Sequence, residues 1–92
     1  MIRTFRDSSS RRFALGGRSK FSGMDEGLAR RRLAQLNAAT SFDDLAKLNS
    51  VGLHKLKGKL KRFWSIDING PWRLLFEFRE RDAYEVHIHD PH

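Results

Sequence analysis

The sequence predicts an α+β domain with N-terminal helices packed on one face of an antiparallel β-sheet. Two patterns carry this. Apolar residues recur at helical spacing through the first half, and from Phe63 onward they alternate with polar ones. Ninety-two residues with no repeat, low-complexity tract or composition break make one domain, 1–92, with one modest core.

Taken in order, residues 2–5 alternate and suit an edge or paired strand. Asp7 is placed to cap a short helix through Leu15 that Gly16 and Gly17 stop. Residues 18–22 form a basic loop. Ser22 and Asp25 have the spacing of a capping box that opens a helix over residues 24–39. Leu28, Ala29, Leu33, Leu36 and Thr40 share its inward face, with Arg30, Arg31 and Gln35 mostly outward. Phe42, Leu45 and Leu48 predict one or two further helical turns, and residues 49–52 a break. Residues 53–62 predict an irregular strand with a bulge or turn at Gly58.

The hairpin at residues 63–78 organises the rest. Trp64, Ile66 and Ile68 form one apolar row, and Trp72, Leu74, Phe76 and Phe78 another. A two-residue Asn-Gly loop would set the rows on opposite faces. Pairing Ile68 with Trp72 keeps them together, so Asn69, Gly70 and Pro71 form a three-residue connection. Residues 79–82 turn the chain into a last strand whose inward row is Tyr84, Val86 and Ile88. The opposite face then carries Ser65, Asp67, Arg73, Leu75, Glu77, Glu85, His87 and His89, a set too polar for a second core.

Eighteen Lys and Arg against eleven Asp and Glu leave a net charge of +7. This excess points to a polyanionic partner such as nucleic acid. No cysteine is present, which excludes disulfides and thiolate zinc sites and suits a reducing cytoplasm. No apolar run approaches membrane-spanning length, and the charged start is unlike a signal peptide, so a soluble cytoplasmic protein without a membrane partner is expected.

If Phe78 lies opposite Tyr84, Arg73 falls opposite His89, and the tail with Asp90 and His92 ends beside Arg73. Guanidinium, imidazole and carboxylate then converge at one sheet edge. Arg73 offers a planar donor fork for phosphate, or a partner for Glu77 or Glu85. Lys55, Lys57, Lys59 and Lys61 alternate, so an extended chain shows them on one face. That face is either a lysine-guarded edge or a phosphate-tracking stripe, continued by Arg62 and His89. His87, His89, Asp90 and His92 are numerous enough for a metal, yet they crowd one terminus with no distant ligand aimed at them. Neither metal nor cofactor is expected. Without metal, the same groups supply acid–base chemistry near neutral pH, and an RNA substrate brings its own nucleophile in the 2′-hydroxyl.

Leu53-His54-x-Leu56-Lys57-Gly58, Trp64-Ser65-Ile66, Asn69, Trp72-Arg73, Phe76, Ala83-Tyr84 and the terminal Asp90-x-His92 together resemble the HigB toxins of the RelE-like superfamily. The likeness spans nearly the whole chain from Met1-Ile2-x-x-Phe5 and is densest after Leu53. It implies a small RelE-like α+β fold and an endoribonuclease that cuts mRNA on translating ribosomes. It also implies a HigA-type helix-turn-helix antitoxin, with operator DNA bound only through the complex. By motif position His54, Lys57, Arg73, Asp90 and His92 correspond to the family's active-site residues. Pro91 stands where the family usually has tyrosine. The rival readings are a nucleic-acid-binding module without chemistry and a metal-binding scaffold built on the histidine-rich end.

Overall fold

A computed structural model describes residues 1–90. Three α-helices, α1 (Ser8–Ala14), α2 (Glu26–Ala38) and α3 (Phe42–Ala46), precede strands β1 (His54–Lys55), β2 (Trp64–Asp67), β3 (Arg73–Arg79) and β4 (Asp82–His89). The strands form an antiparallel meander in sequence order. Short 3₁₀ segments at Lys47–Val51 and Gly58–Leu60 flank β1. The architecture is the expected α+β arrangement. Among the described residues no helix is long and apolar enough to cross a membrane.

Each helix begins where a side chain satisfies an otherwise unpaired amide. Asp7 Oδ1 accepts from Ser10 N at 2.7 Å, and Ser41 Oγ from Asp44 N at 3.0 Å. For α2 the cap is Asp25 itself, which accepts from Leu28 N at 3.0 Å, rather than Ser22. Ala29, Leu33 and Leu36 are its buried face, whereas Thr40, expected to face inward, lies past its end and is exposed. Arg30 turns inward, unlike the expectation. Its guanidinium carbon stands 4.1 Å from the Phe13 ring centroid, and its Nη1 donates to the Phe13 carbonyl at 2.8 Å, fastening α2 to α1.

The hairpin register is the one that keeps the apolar rows together. Ile66 pairs with Leu74 and Asp67 with Arg73, and Ile68 N donates to the Trp72 carbonyl at 3.1 Å across the three-residue connection. Ile66, Leu74, Phe76 and Val86 from this face join Phe13, Leu36 and Leu45 from the helices in the main core. Residues 2–5 run parallel to β4, bridging Ile2 to Ala83 and Phe5 to Val86.

The expected inward row of β4 needs correction at Tyr84. Leu75 faces His87, but Glu77 faces Tyr84 and Phe78 faces Ala83, so β4 carries one extra residue at a β-bulge. Glu85 occupies it with φ +53°, its N–H donating to Thr4 Oγ1 at 2.8 Å. The bulge exchanges the faces, so Ala83, Val86 and Ile88 point to the core. Tyr84 is half-buried, with Arg79 4.1 Å from its ring centroid.

The opposite face also departs from expectation. It holds a small core of its own in which Phe63 and Leu75 are 1% exposed, Ser65 1% and His87 6%. Phe63 and His87 meet edge to face at 5.2 Å, and Arg6 and Arg62 lie 5.2 and 4.7 Å from the Phe63 centroid. Cationic side chains that bury their stems can cover an aromatic ring in this way.

Candidate active site

Strand pairing decides which polar residues share the outer face, because residues directly opposite one another project to the same side. One row crosses three strands as Asp67, Arg73 and His89. Two residues along, a second row crosses four strands as His54, Ser65, Leu75 and His87. Neighbouring strands stand about 4.8 Å apart, so His54 and Arg73 lie on one face within joint reach of an extended substrate. Buried Ser65 and Leu75 form the floor between them.

Arg73 is held on three sides. Its Nε is 3.0 Å from Asp67 Oδ1, and its Nη1 donates to the carbonyls of Gly70 at 2.7 Å and Trp72 at 2.9 Å. Glu77 and Glu85, the acidic partners suggested by sequence, are engaged elsewhere: Glu77 faces Arg62 at 3.9 Å and Glu85 sits in the bulge. Asp67 is thus a functional candidate that the sequence reading passed over. The signal was present, since the three-residue connection sets Asp67 directly opposite Arg73.

The turn that positions Arg73 is itself tied to α2. Asn69 Oδ1 accepts from Asp25 N at 2.7 Å, and Asn69 Nδ2 donates to the Gly23 carbonyl at 3.3 Å. Trp72 packs edge to face on Phe21 with centroids 5.7 Å apart.

His54 is exposed, and its Nδ1 lies 3.0 Å from the Gly52 carbonyl. A carbonyl can only accept, so Nδ1 carries the proton there, and Nε2 of the neutral ring keeps its lone pair. His87 has the same arrangement with the Glu85 carbonyl at 2.9 Å. Burial among apolar groups pushes the His87 pKa below the usual imidazole value, outweighing the Glu85 carbonyl that favours the charged form. His89 is half-buried, its ring centroid 6.1 Å from that of His87.

The remaining candidates are more dispersed. Lys57 is exposed after β1, at the cap of the 3₁₀ turn and outside the paired register. Lys55 stands opposite Trp64 with Nζ 5.2 Å from its ring, on the helix side and away from His54. Lys59 lies within the turn and Lys61 caps it, so the four lysines form no stripe. The reason is the reversal at Gly58, whose φ of +68° suits glycine, after which Leu56 N pairs back to the Phe63 carbonyl at 3.0 Å. Arg62 covers Phe63 on the outer face. Asp90 follows β4 directly and is half-buried, whereas His92 lies outside the described residues. Among the described residues no three His, Asp or Glu side chains are placed to hold a metal ion. A cleft of about 430 Å³ between residues 2–5, α1 and α2 is mainly apolar and remote from these groups.

Chemically, the outer face offers an imidazole with an available lone pair and, two strands away on the same face, a guanidinium of fixed orientation, over a small buried floor. Such a pairing suits proton abstraction next to a phosphate. The chain matches the family model for the HigB RelE-like toxin of type II toxin–antitoxin systems over residues 3–92. It is also 31% identical over 93 residues to endoribonuclease HigB of Proteus vulgaris, a similarity that covers the whole of both chains. The fold, the motif positions and this full-length similarity place the chain in the HigB family of RelE-like toxins, whose type II systems pair each toxin with an antitoxin.

Proposed function

We propose that this toxin is an endoribonuclease that cuts mRNA on the translating ribosome in the cytoplasm. The observation that carries the proposal is the pairing of Arg73 with His89 on the face that also bears His54. In the reaction, His54 Nε2 or an imidazole of the tail removes the proton of a 2′-hydroxyl. The alkoxide oxygen bonds to the adjacent phosphorus, and the bond from phosphorus to the 5′-oxygen breaks. Whichever of His54 and His92 is not the base, or a protonated Asp90, returns a proton to that leaving oxygen. The products are a 2′,3′-cyclic phosphate and a 5′-hydroxyl. Arg73 carries the charge that builds on the phosphoryl oxygens, with Lys57 as a second cation. An open sheet face holds a flexible RNA loosely, and a ribosome that fixes the strand supplies the missing alignment.

The partner under this reading is a HigA-type antitoxin with a helix-turn-helix domain, through which the pair reaches operator DNA. Translating ribosomes are incubated with the protein, and new mRNA 5′ ends are mapped. New ends are expected with the wild type and are lost with Arg73→Ala. An absence of new ends with the wild type overturns the proposal and leaves a binding module without chemistry. A transition metal found in stoichiometric amount in the purified protein would favour a metal-dependent route instead.

A further inference from the structure

Asp67, Gly52, His54 and Arg73 form one connected unit. Gly52 has φ +79° and lies so close to Asp67 that a Cβ at residue 52 would overlap the carboxylate. The Gly52 carbonyl receives His54 Nδ1 at 3.0 Å, and Asp67 Oδ1 receives Arg73 Nε at 3.0 Å. One peptide unit therefore contacts the anchor of the arginine and also sets the tautomer of the histidine. Arg73 Nε and Nη1 are both committed. Guanidinium has five donors in a fixed fork, so its outer edge is presented in one orientation.

We infer that Asp67 is a positioning residue for RNA cleavage, holding Arg73 so that its guanidinium meets the phosphate and, through contact with Gly52, setting Arg73 relative to His54. This rests on the ribonuclease reading above. Asp67 is half exposed on a face that receives a polyanion, where a carboxylate by itself weakens binding. Its presence there is accounted for by the orientation it imposes. Losing that orientation lowers the chemical rate and leaves binding unchanged or tighter. Geometric slippage of about 1 Å at a reacting centre can cost on the order of 10²-fold in rate.

The test measures single-turnover cleavage and ribosome affinity for wild type, Asp67→Ala and Asp67→Asn. Asp67→Ala is expected to cleave about 100-fold more slowly with affinity equal to or higher than wild type. Asp67→Asn keeps an oxygen that accepts from Nε and is expected within about 5-fold of wild type. Gly52→Ala should slow cleavage by itself yet add little in the Asp67→Ala background, because the strain at residue 52 is common to both and the displaced carboxylate is not. Equal rates for wild type and Asp67→Ala, or parallel losses of rate and affinity, overturn the inference. An independent reading comes from the Arg73 Nε–H resonance. It should exchange slowly in wild type and Asp67→Asn and rapidly in Asp67→Ala, and equally slow exchange in all three also overturns the anchor. A wild type that cleaves nothing defeats the ribonuclease reading, whereas the resonance still decides whether Asp67 holds Arg73.

Discussion

On the helix side of the sheet, Ile66, Leu74, Phe76 and Val86 have no exposed surface and join a core fed by all three α-helices. On the outer side, among the described residues, deep burial reaches only Phe63, Ser65, Leu75 and His87, while Asp67, Arg73 and His89 beside them stay partly open. The same strands thus serve two purposes. The apolar side fixes the backbone, and the outer side uses a floor only a few residues wide to lock that backbone beneath polar groups. Sites supported by strands hold their geometry better than sites built on loops, which is what proton transfer at a phosphate requires.

If this division is right, substitutions on the two faces separate activity from stability. The largest effect is expected from His54→Ala, which removes an exposed ring from the outer face. Cleavage should fall by about 10²–10⁴-fold. Stability should move by no more than about 0.5 kcal/mol, as read by urea unfolding. Next comes Phe76→Ala on the helix side, expected to cost about 3–5 kcal/mol in the same experiment. If His54→Ala unfolds the chain, or Phe76→Ala leaves its midpoint unchanged, the two faces are not divided in this way.

A smaller effect tests the outer floor by pH. His87 titrates below the usual imidazole value in the folded chain because it is buried. The unfolded chain therefore binds more protons once pH falls below about 6.5, and stability decreases from there down through the lowered folded pKa. Urea midpoints should drop between pH 7.5 and pH 5.5, and His87→Gln should flatten that drop. The carboxylates held low by hydrogen bonds, Asp44 by the Thr40 amide and Asp82 by Arg3, act only in a more acidic range. The smallest effect belongs to Thr4→Val, which removes the acceptor of the bulge amide and should cost about 1 kcal/mol. Without any loss there, the bulge is held by strand pairing alone.

The helix-side face was the more legible one in the sequence. Its alternating apolar rows admit a single register with Asn69-Gly70-Pro71 as a three-residue connection. Arg73 does stand opposite His89, but the premise that leads there, Phe78 opposite Tyr84, fails, because Phe78 faces Ala83 and the bulge restores the register. Tyr84 was misplaced because the bulge at Glu85 is fixed by Thr4, a residue 81 positions away that no local pattern connects to it. The lysine alternation misled for a related reason, since one glycine reversed the chain before the period could persist. Asp25 replaced Ser22 as the cap because the amide it satisfies lies three residues on, at Leu28. Partner choice at Arg73 depended on which carboxylate lay across the ladder, a matter of geometry that composition does not encode.

The seam between residues 2–5 and β4 has a consequence for how the molecule is made. Residues 2–5 leave the ribosome well before the backbone they pair with is made. The seam closes a loop of about 80 residues, so it should form late, after β4 is available to pair. In pulse-labelled refolding, the amides of Arg3 and Arg6 should then gain protection after those of the β2–β3 hairpin. A nascent toxin would in that case lack its closing seam until β4 had emerged.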